Sequence, residues 1–305
     1  MARIILHGGA HKTASKHLQH NLLLNKAYLE TKGVKYIPPK FKGPLIRTML
    51  RVRRKFDRKT FDLQRAKDDI RAMINDRIGD YENVIFSYEG IFGSMNMQGN
   101  QTIYATAEPL IELYGEILEE HEVIPAYAIR NYSDYVLSAY KWLVKNTGYS
   151  RPLSKFLADF DREEKRWSQI IEALAQTFDQ PFIWNVEAYK SNPDRVLMKL
   201  LDQITPGGVE PEALKTDDKK RNTASDRDIL KMYYAANQIS RGQKKAKTRN
   251  LKISKRFKNK SGFFGSLLKN PVDVDVHKVL NTAERYRQEV EELKQNPGYE
   301  FLLSA

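Results

Sequence analysis

The 305-residue chain contains no cysteine. That absence removes disulfides, Cys-ligated zinc, iron–sulfur clusters and thiol nucleophiles together. It fits a reducing compartment, and a cytoplasmic location is the expectation. Long apolar runs are missing too. No stretch approaches the roughly 18 consecutive apolar residues of a membrane span. Ile4-Ile5-Leu6 runs into glycines too soon to form the apolar core of a signal peptide. Acidic residues are outnumbered: 38 Asp and Glu stand against 51 Lys and Arg, a formal net charge of +13. What remains is a globular composition, 41% hydrophobic and 10% aromatic, which a disordered chain does not have. The length suits one large α/β domain or two small ones, with an ample core.

The positive charge is concentrated. Residues 241–260 (RGQKKAKTRNLKISKRFKNK) hold ten Lys or Arg and no acid, and Lys40–Lys59 holds nine against Asp57. Such blocks are often plain solvated faces. Read functionally, they suit an acidic acceptor, an anionic membrane surface or nucleic acid. Nucleic acid is the least favoured, because the runs lack interleaved aromatics and no zinc-finger or RNP pattern is present.

Apolar periodicity predicts short strands alternating with helices. Strands are expected over residues 3–7, 34–37, 83–88, 123–129 and 181–186. Helices are expected over 13–31, 61–78, 106–121, 133–146, 153–161, 164–177 and 194–204. Pro125 argues against a central ladder position for its strand. Beyond Pro206-Gly207-Gly208 the alternation is lost, and a charged helix is expected near 276–294. The pattern predicts a parallel sheet with helices on its faces. A single domain is expected, with an α/β core over 1–205 and a mainly helical, basic extension over 206–305.

The sharpest local feature is His7-Gly8-Gly9-Ala10-His11-Lys12-Thr13-Ala14-Ser15-Lys16, which follows a strand and opens a helix. Glycines let backbone amides approach an anion, and a helix N-terminus carries positive partial charge. Lys12 and Lys16 add charge; Thr13 and Ser15 add hydroxyls. A phosphate or sulfate suits every element. The segment departs from the Walker A pattern, with His11 where a glycine belongs, and no strand-end Asp offers a magnesium ligand. A second anion site is suggested by Arg130, at a strand's carboxyl end, where open α/β sheets bind ligands, and by Ser138 on the helix that follows.

Together the two segments resemble the sulfotransferases that use 3′-phosphoadenosine-5′-phosphosulfate (PAPS). His7 through Lys16 is similar to that family's first loop, H-x-G-x-x-K-T-G-T-T. Arg130, Asn131, Asp134, Ser138 and Tyr140 match its second segment, R-N-x-x-D-x-x-x-S-x-Y. Ser87-Tyr88-Glu89 resembles the strand-end S-x-E of bacterial and carbohydrate-acting members. Arg221–Ser225 is loosely similar to a later segment, and Ser261–Gly265 faintly so to a C-terminal loop that touches the 3′-phosphate. The departures are Ala14 for a Gly and Lys16 for a Thr. The clear matches span residues 3–140.

The resemblance implies a three-layer P-loop-like fold and in-line sulfuryl transfer to a hydroxyl or amine, with no metal required. It implies that Gly9, Ala10, His11, Lys12, Thr13, Ala14, Ser15 and Lys16 cradle the 5′-phosphosulfate, and that Arg130 and Ser138 hold the 3′-phosphate. Lys12 would stabilise the leaving phosphate. Glu89 is the first candidate for the base, with His11 and His7 next; His17 and His20 are expected to face solvent or packing. The acceptor is expected to be a carbohydrate, a lipid head group or a small polar metabolite, with no nucleic-acid partner. The competing readings are a P-loop kinase using Mg-ATP and a non-catalytic polyanion-binding protein.

Overall fold

The computed structural model of the protein describes residues 1–40, 43–93, 104–147, 149, 151–161, 166–178, 180–217, 282–296 and 299–302. The basic run 241–260 and the segments Arg221–Ser225 and Ser261–Gly265 lie outside them. The chain forms two compact units. The first comprises Met1–Arg130, Lys165–Lys219 and Arg287–Ala305; the second comprises Asn131–Glu164 and Lys220–Tyr286.

The first unit is built on a six-stranded sheet in the order β2-β3-β1-β4-β5-β6. Its strands are β1 (Arg3–His7), β2 (Val34–Ile37), β3 (Asn83–Ser87), β4 (Glu122–Ile129), β5 (Phe182–Asn185) and β6 (Glu300–Leu302). Every pairing is parallel, as the alternating pattern requires. The period of two sorts the side chains onto two buried faces. Ile5, Tyr36, Ile85, Ala126 and Trp184 pack against α1 (Ser15–Leu24), α2 (Lys26–Thr31), α9 (Val186–Ser191) and α10 (Pro193–Asp202). On the opposite face Ile4, Leu6, Val84 and Phe86 meet Ile74, Ile78 and Leu118. Those come from α4 (Leu63–Ile78) and the end of α5 (Ala107–Ile117), and α3 (Pro44–Lys55) and α8 (Trp167–Phe178) complete that layer. The arrangement is a three-layer α/β fold with the P-loop-like strand–loop–helix at β1.

Three departures from the sequence reading have physical causes. The helix expected over 13–31 breaks at Asn25, which is buried. Its amide group donates to the carbonyls of Asn21 and Lys215, each at 2.8 Å, and its carbonyl accepts from Lys215 N. Pro125 sits in β4, a central strand. The Ala126 and Ala128 carbonyls point to the β1 side, where they accept from Gly8 and Ala10. Alternation turns Pro125 toward β5, and β5 pairing begins only at Ala126, so the missing N–H breaks no bond. The basic run 40–59 contains a helix, α3, whose Leu45, Ile46, Met49 and Val52 are buried while Arg47, Arg51, Arg54 and Lys55 are exposed.

Described residues of the second unit include α6 (Tyr132–Thr147), α7 (Leu153–Asp161) and the start of α11 (Thr282–Lys294). Tyr140, Tyr149 and Phe156 form an aromatic cluster there, with ring centroids 5.5–6.0 Å apart. No described helix is long and apolar enough to cross a membrane.

Candidate functional site

The carboxyl ends of β1, β3 and β4 lie side by side, because β1 is the central strand of the three. The loop after β1 extends the β1–β4 ladder by two bonds: Gly8 N donates to Ala126 O (3.1 Å) and Ala10 N to Ala128 O (2.9 Å). Ala10 therefore offers no amide to an anion, since its N–H is closed on β4. The chain then coils. Gly9, Lys12 and Ala14 have φ of +49°, +71° and +64°. A left-handed residue other than glycine costs about 1–3 kcal/mol and persists only where its surroundings hold it. Two within three residues mark this loop.

The thread that holds it runs through side chains. The Thr13 hydroxyl donates to Ala10 O at 2.5 Å and lies 3.4 Å from Ser15 Oγ. Both hydroxyls are buried, so they brace the loop from within. Ser15 and Lys16 open α1, where first-turn amides have no intrahelical acceptor. Lys16 is exposed.

Lys12 is fastened at both backbone atoms. Its N–H donates to Glu89 Oε1 at 3.1 Å, and its carbonyl accepts from Arg130 Nη1 at 2.7 Å. Glu89 arrives on the turn after β3, Arg130 at the end of β4. The structure thus brings His11, Lys12, Glu89 and Arg130 together. Ser138 is half-buried on α6 in the second unit.

Three residues without a sequence motif join the site. The Tyr104 hydroxyl oxygen lies 2.5 Å from His11 N and 2.6 Å from His11 Nδ1. The Trp167 ring meets Tyr104 edge-on, with centroids 6.1 Å apart, and Trp167 Nε1 donates to Arg130 O at 2.8 Å. These contacts close a circuit from His11 through Tyr104, Trp167 and Arg130 back to Lys12. Arg53, on the inner side of α3, donates through Nη1 to Gly90 O (3.0 Å) and Gly93 O (2.8 Å), holding the turn that carries Glu89. The only sequence signal for Arg53 was its place among Leu45, Met49 and Val52; Tyr104 and Trp167 had none.

Burial lowers the pKa of His11; the Arg53 and Lys12 cations lower it further and Glu89 opposes them. His7 is fully buried, and desolvation lowers its pKa to about 4. Its Nδ1 is 2.8 Å from Ser87 Oγ, which also accepts from Gln19 Nε2 at 3.0 Å. Its Nε2 is buried with no hydrogen-bond partner among the described residues. His17 and His20 serve elsewhere. His17 bridges Tyr189 OH (2.7 Å) and Asp217 O (2.5 Å), and His20 pairs with the Asp217 carboxylate at 3.2 Å. They tie α1 to Asp217 and are half-buried, the packing role being one of the two that the sequence suggested.

No family model matches the chain, and no curated protein matches it. Among solved structures, a sulfotransferase from Alicyclobacillus acidocaldarius is similar over 78% of this chain and 92% of its own, at 12% identity and a TM-score of 0.44.

Proposed function

We propose that the protein transfers a sulfuryl group from PAPS to a hydroxyl or amine of an acceptor. The observation that carries this reading is the fastening of Lys12 between Glu89 and Arg130 at the head of a left-handed anion loop. The Glu89 carboxylate, as a base for the acceptor's proton, and the Arg130 guanidinium, for a second phosphate, both bond to the backbone of Lys12, the proposed cation for the leaving phosphate, and the motifs of these residues resemble the PAPS-using family.

In the proposed reaction the acceptor oxygen or nitrogen bonds to sulfur as the bond from sulfur to the bridging oxygen breaks. The electron pair stays on the 5′-phosphate, leaving 3′-phosphoadenosine-5′-phosphate. Lys12 and the first amides of α1 offset the charge that develops there, a role in which preorganised donors contribute most of the acceleration. Glu89 takes the acceptor's proton, and a positioned base contributes about 10²–10⁴-fold. Arg130 favours a nucleotide bearing a 3′-phosphate, because its planar fork matches phosphate oxygens. The acceptor class stays broad: a carbohydrate, a lipid head group or a small polar metabolite.

Thermal stabilisation by 3′-phosphoadenosine-5′-phosphate, beside ADP and Mg-ATP, tests this. A ligand at 100-fold its Kd adds about 2.7 kcal/mol to the native state, enough for a plain melting shift. A shift specific to the 3′-phosphorylated nucleotide and lost in Arg130→Ala is expected. A shift with Mg-ATP alone would transfer the site to phosphoryl chemistry. No shift with any nucleotide would refute the nucleotide reading.

A further inference from the structure

We propose that α3 is the acceptor-docking element of the first unit and that its occupant is an acidic polysaccharide, held along the outward stripe Arg47, Arg51 and Arg54 with a sugar hydroxyl beside Glu89. The role in transfer rests on the proposed function; the binding surface does not.

The helical period divides α3 into two faces. Leu45, Ile46, Met49 and Val52 are buried, while Arg47, Arg51, Arg54 and Lys55 are exposed. Arg47, Arg51 and Arg54 stand at i, i+4 and i+7, so they share one face. Arg58 and Lys59, also exposed, carry the charge past the helix end. None of these six cations makes an ion pair among the described residues, and neither does Asp57, the one acid of the run. Elsewhere in the unit helix cations are answered: Lys26 by Glu30, Lys67 by Glu116 and Arg71 by Glu119. Like charges at these spacings repel. Arg47 also closes a first turn that holds no acid, at the end of a helix where a cation is disfavoured. Such a row works against the helix and in favour of an anionic ligand.

The stripe borders the proposed chemistry. Arg53, one residue before Arg54, donates through Nη1 to Gly90 O and Gly93 O, at 3.0 and 2.8 Å, in the turn that carries Glu89. Burial raises the pKa of the Tyr88 phenol, and the Arg53 and Arg54 cations oppose it. Arg54 is therefore both the end of the stripe and a neighbour of the residue before Glu89. An anionic chain lying on the stripe runs toward the group that takes the acceptor's proton.

The occupant follows from reach, cation type and what the outward face lacks. Arg47 to Arg54 covers about 10 Å of helix at 1.5 Å per residue, which a repeating anion spans and a single anionic group does not. Four of the six cations are Arg, whose planar fork matches carboxylate and sulfate oxygens. The apolar side of α3 is buried, and no exposed large hydrophobic residue lies on it; a helix that lies on a membrane turns that side to lipid. Single-stranded nucleic acid is held by aromatic rings that stack on its bases, and the exposed residues of α3 include none.

Fluorescence anisotropy of end-labelled alginate and dextran sulfate oligosaccharides, titrated with the full chain at about 0.15 M salt and without nucleotide, tests the surface. The triple variant Arg47→Gln, Arg51→Gln, Arg54→Gln changes exposed positions only. It should weaken binding about tenfold, while Lys244→Gln, Lys245→Gln, Lys247→Gln, which removes the same charge elsewhere, should change it by less than about twofold. Neutral dextran should not bind, and the tighter of the two acidic polymers tells carboxylate from sulfate. Equal loss in the two triple variants, or full affinity in the first, would overturn the proposal. So would tighter binding of phosphatidylserine vesicles or single-stranded DNA than of either polysaccharide. With PAPS as donor, the α3 variant should raise KM for the bound polysaccharide about tenfold at nearly constant kcat, the mark of lost ground-state binding; a loss confined to kcat would overturn the docking role. Polysaccharide binding that depends on α3, without a melting shift by 3′-phosphoadenosine-5′-phosphate, would strike the transfer reading alone. The reverse pair of results would strike this proposal alone.

Discussion

Gly8 is the point where the loop after β1 and the Glu89 turn press on each other. A Cβ there would lie 2.3 and 2.4 Å from two ring carbons of buried Phe92 and 3.1 Å from a methyl of Ile91. Carbon atoms do not approach so closely, so in Gly8→Ala the ring must move. Overpacking of this kind costs about 1–3 kcal/mol. Against it, Gly→Ala restricts the unfolded chain and returns about 0.4–1 kcal/mol, since Gly8 needs no left-handed conformation. The net expectation is a loss of about 1–2 kcal/mol. For a chain of this size that lowers the melting midpoint by very roughly 2–8 °C. Phe92→Ala alone should cost about 3–5 kcal/mol, because it empties a core position. In that background the obstacle is gone, and Gly8→Ala should change sign and stabilise by about 0.4–1 kcal/mol. Four melting curves read the cycle. Additive effects, within about 0.5 kcal/mol, would refute the claim that these two segments meet through the Phe92 ring.

Ala14→Gly should stabilise the fold by about 1 kcal/mol, because Ala14 holds a φ of +64° where glycine is at ease; an unchanged melting midpoint would show that the kink carries no strain. Lys12→Ala should abolish turnover while leaving far-UV circular dichroism and the melting midpoint nearly unchanged, and retained activity would remove Lys12 from the centre of the chemistry. His7 gives a pH signature. Its folded pKa, about 4, lies below the ordinary 6.5, so its contribution is complete above 6.5 and drains away as the pH falls toward 4. The difference is on the order of 3 kcal/mol. A His7→Gln variant should lose less stability than wild type between pH 7 and pH 4, and parallel curves would contradict the assignment.

The sheet was legible because parallel strands buried on both faces read as short apolar runs between helical patterns, and each of the five expected strands exists. The strand–loop–helix at β1 and the place of Arg130 at the end of β4 were legible because each is local in the sequence. What escaped was long-range. Asn25 breaks a helix through bonds to a residue 190 positions away, which no local pattern records. Alternation at Pro125 was misjudged because which side a residue's N–H faces depends on which neighbour pairs there. In the run 40–59 nine cations masked the spacing of Leu45, Ile46, Met49 and Val52 on α3, and with it Arg53. Tyr104 reaches His11 across 93 positions, and an isolated tyrosine carries no signature of that.

The sixth strand has a consequence for biosynthesis. β6 hydrogen-bonds to β5 from Glu300 to Leu302, opposite Phe182 to Trp184, so more than a hundred residues separate partners in the ladder. Closing so long a loop is not prohibitive, since each doubling adds only about 0.6 kcal/mol. The order of events is the hazard. As the chain emerges from its N-terminus, strands one to five can assemble while the outer edge of β5, with Phe182, Ile183 and Trp184 all buried in the finished fold, still awaits a partner. An uncovered apolar edge is a template for another chain. Three residues more than a hundred positions further along the chain convert it into a short one. Removal of residues 300–302 should therefore uncover the β5 edge and promote aggregation while leaving the loop after β1 intact.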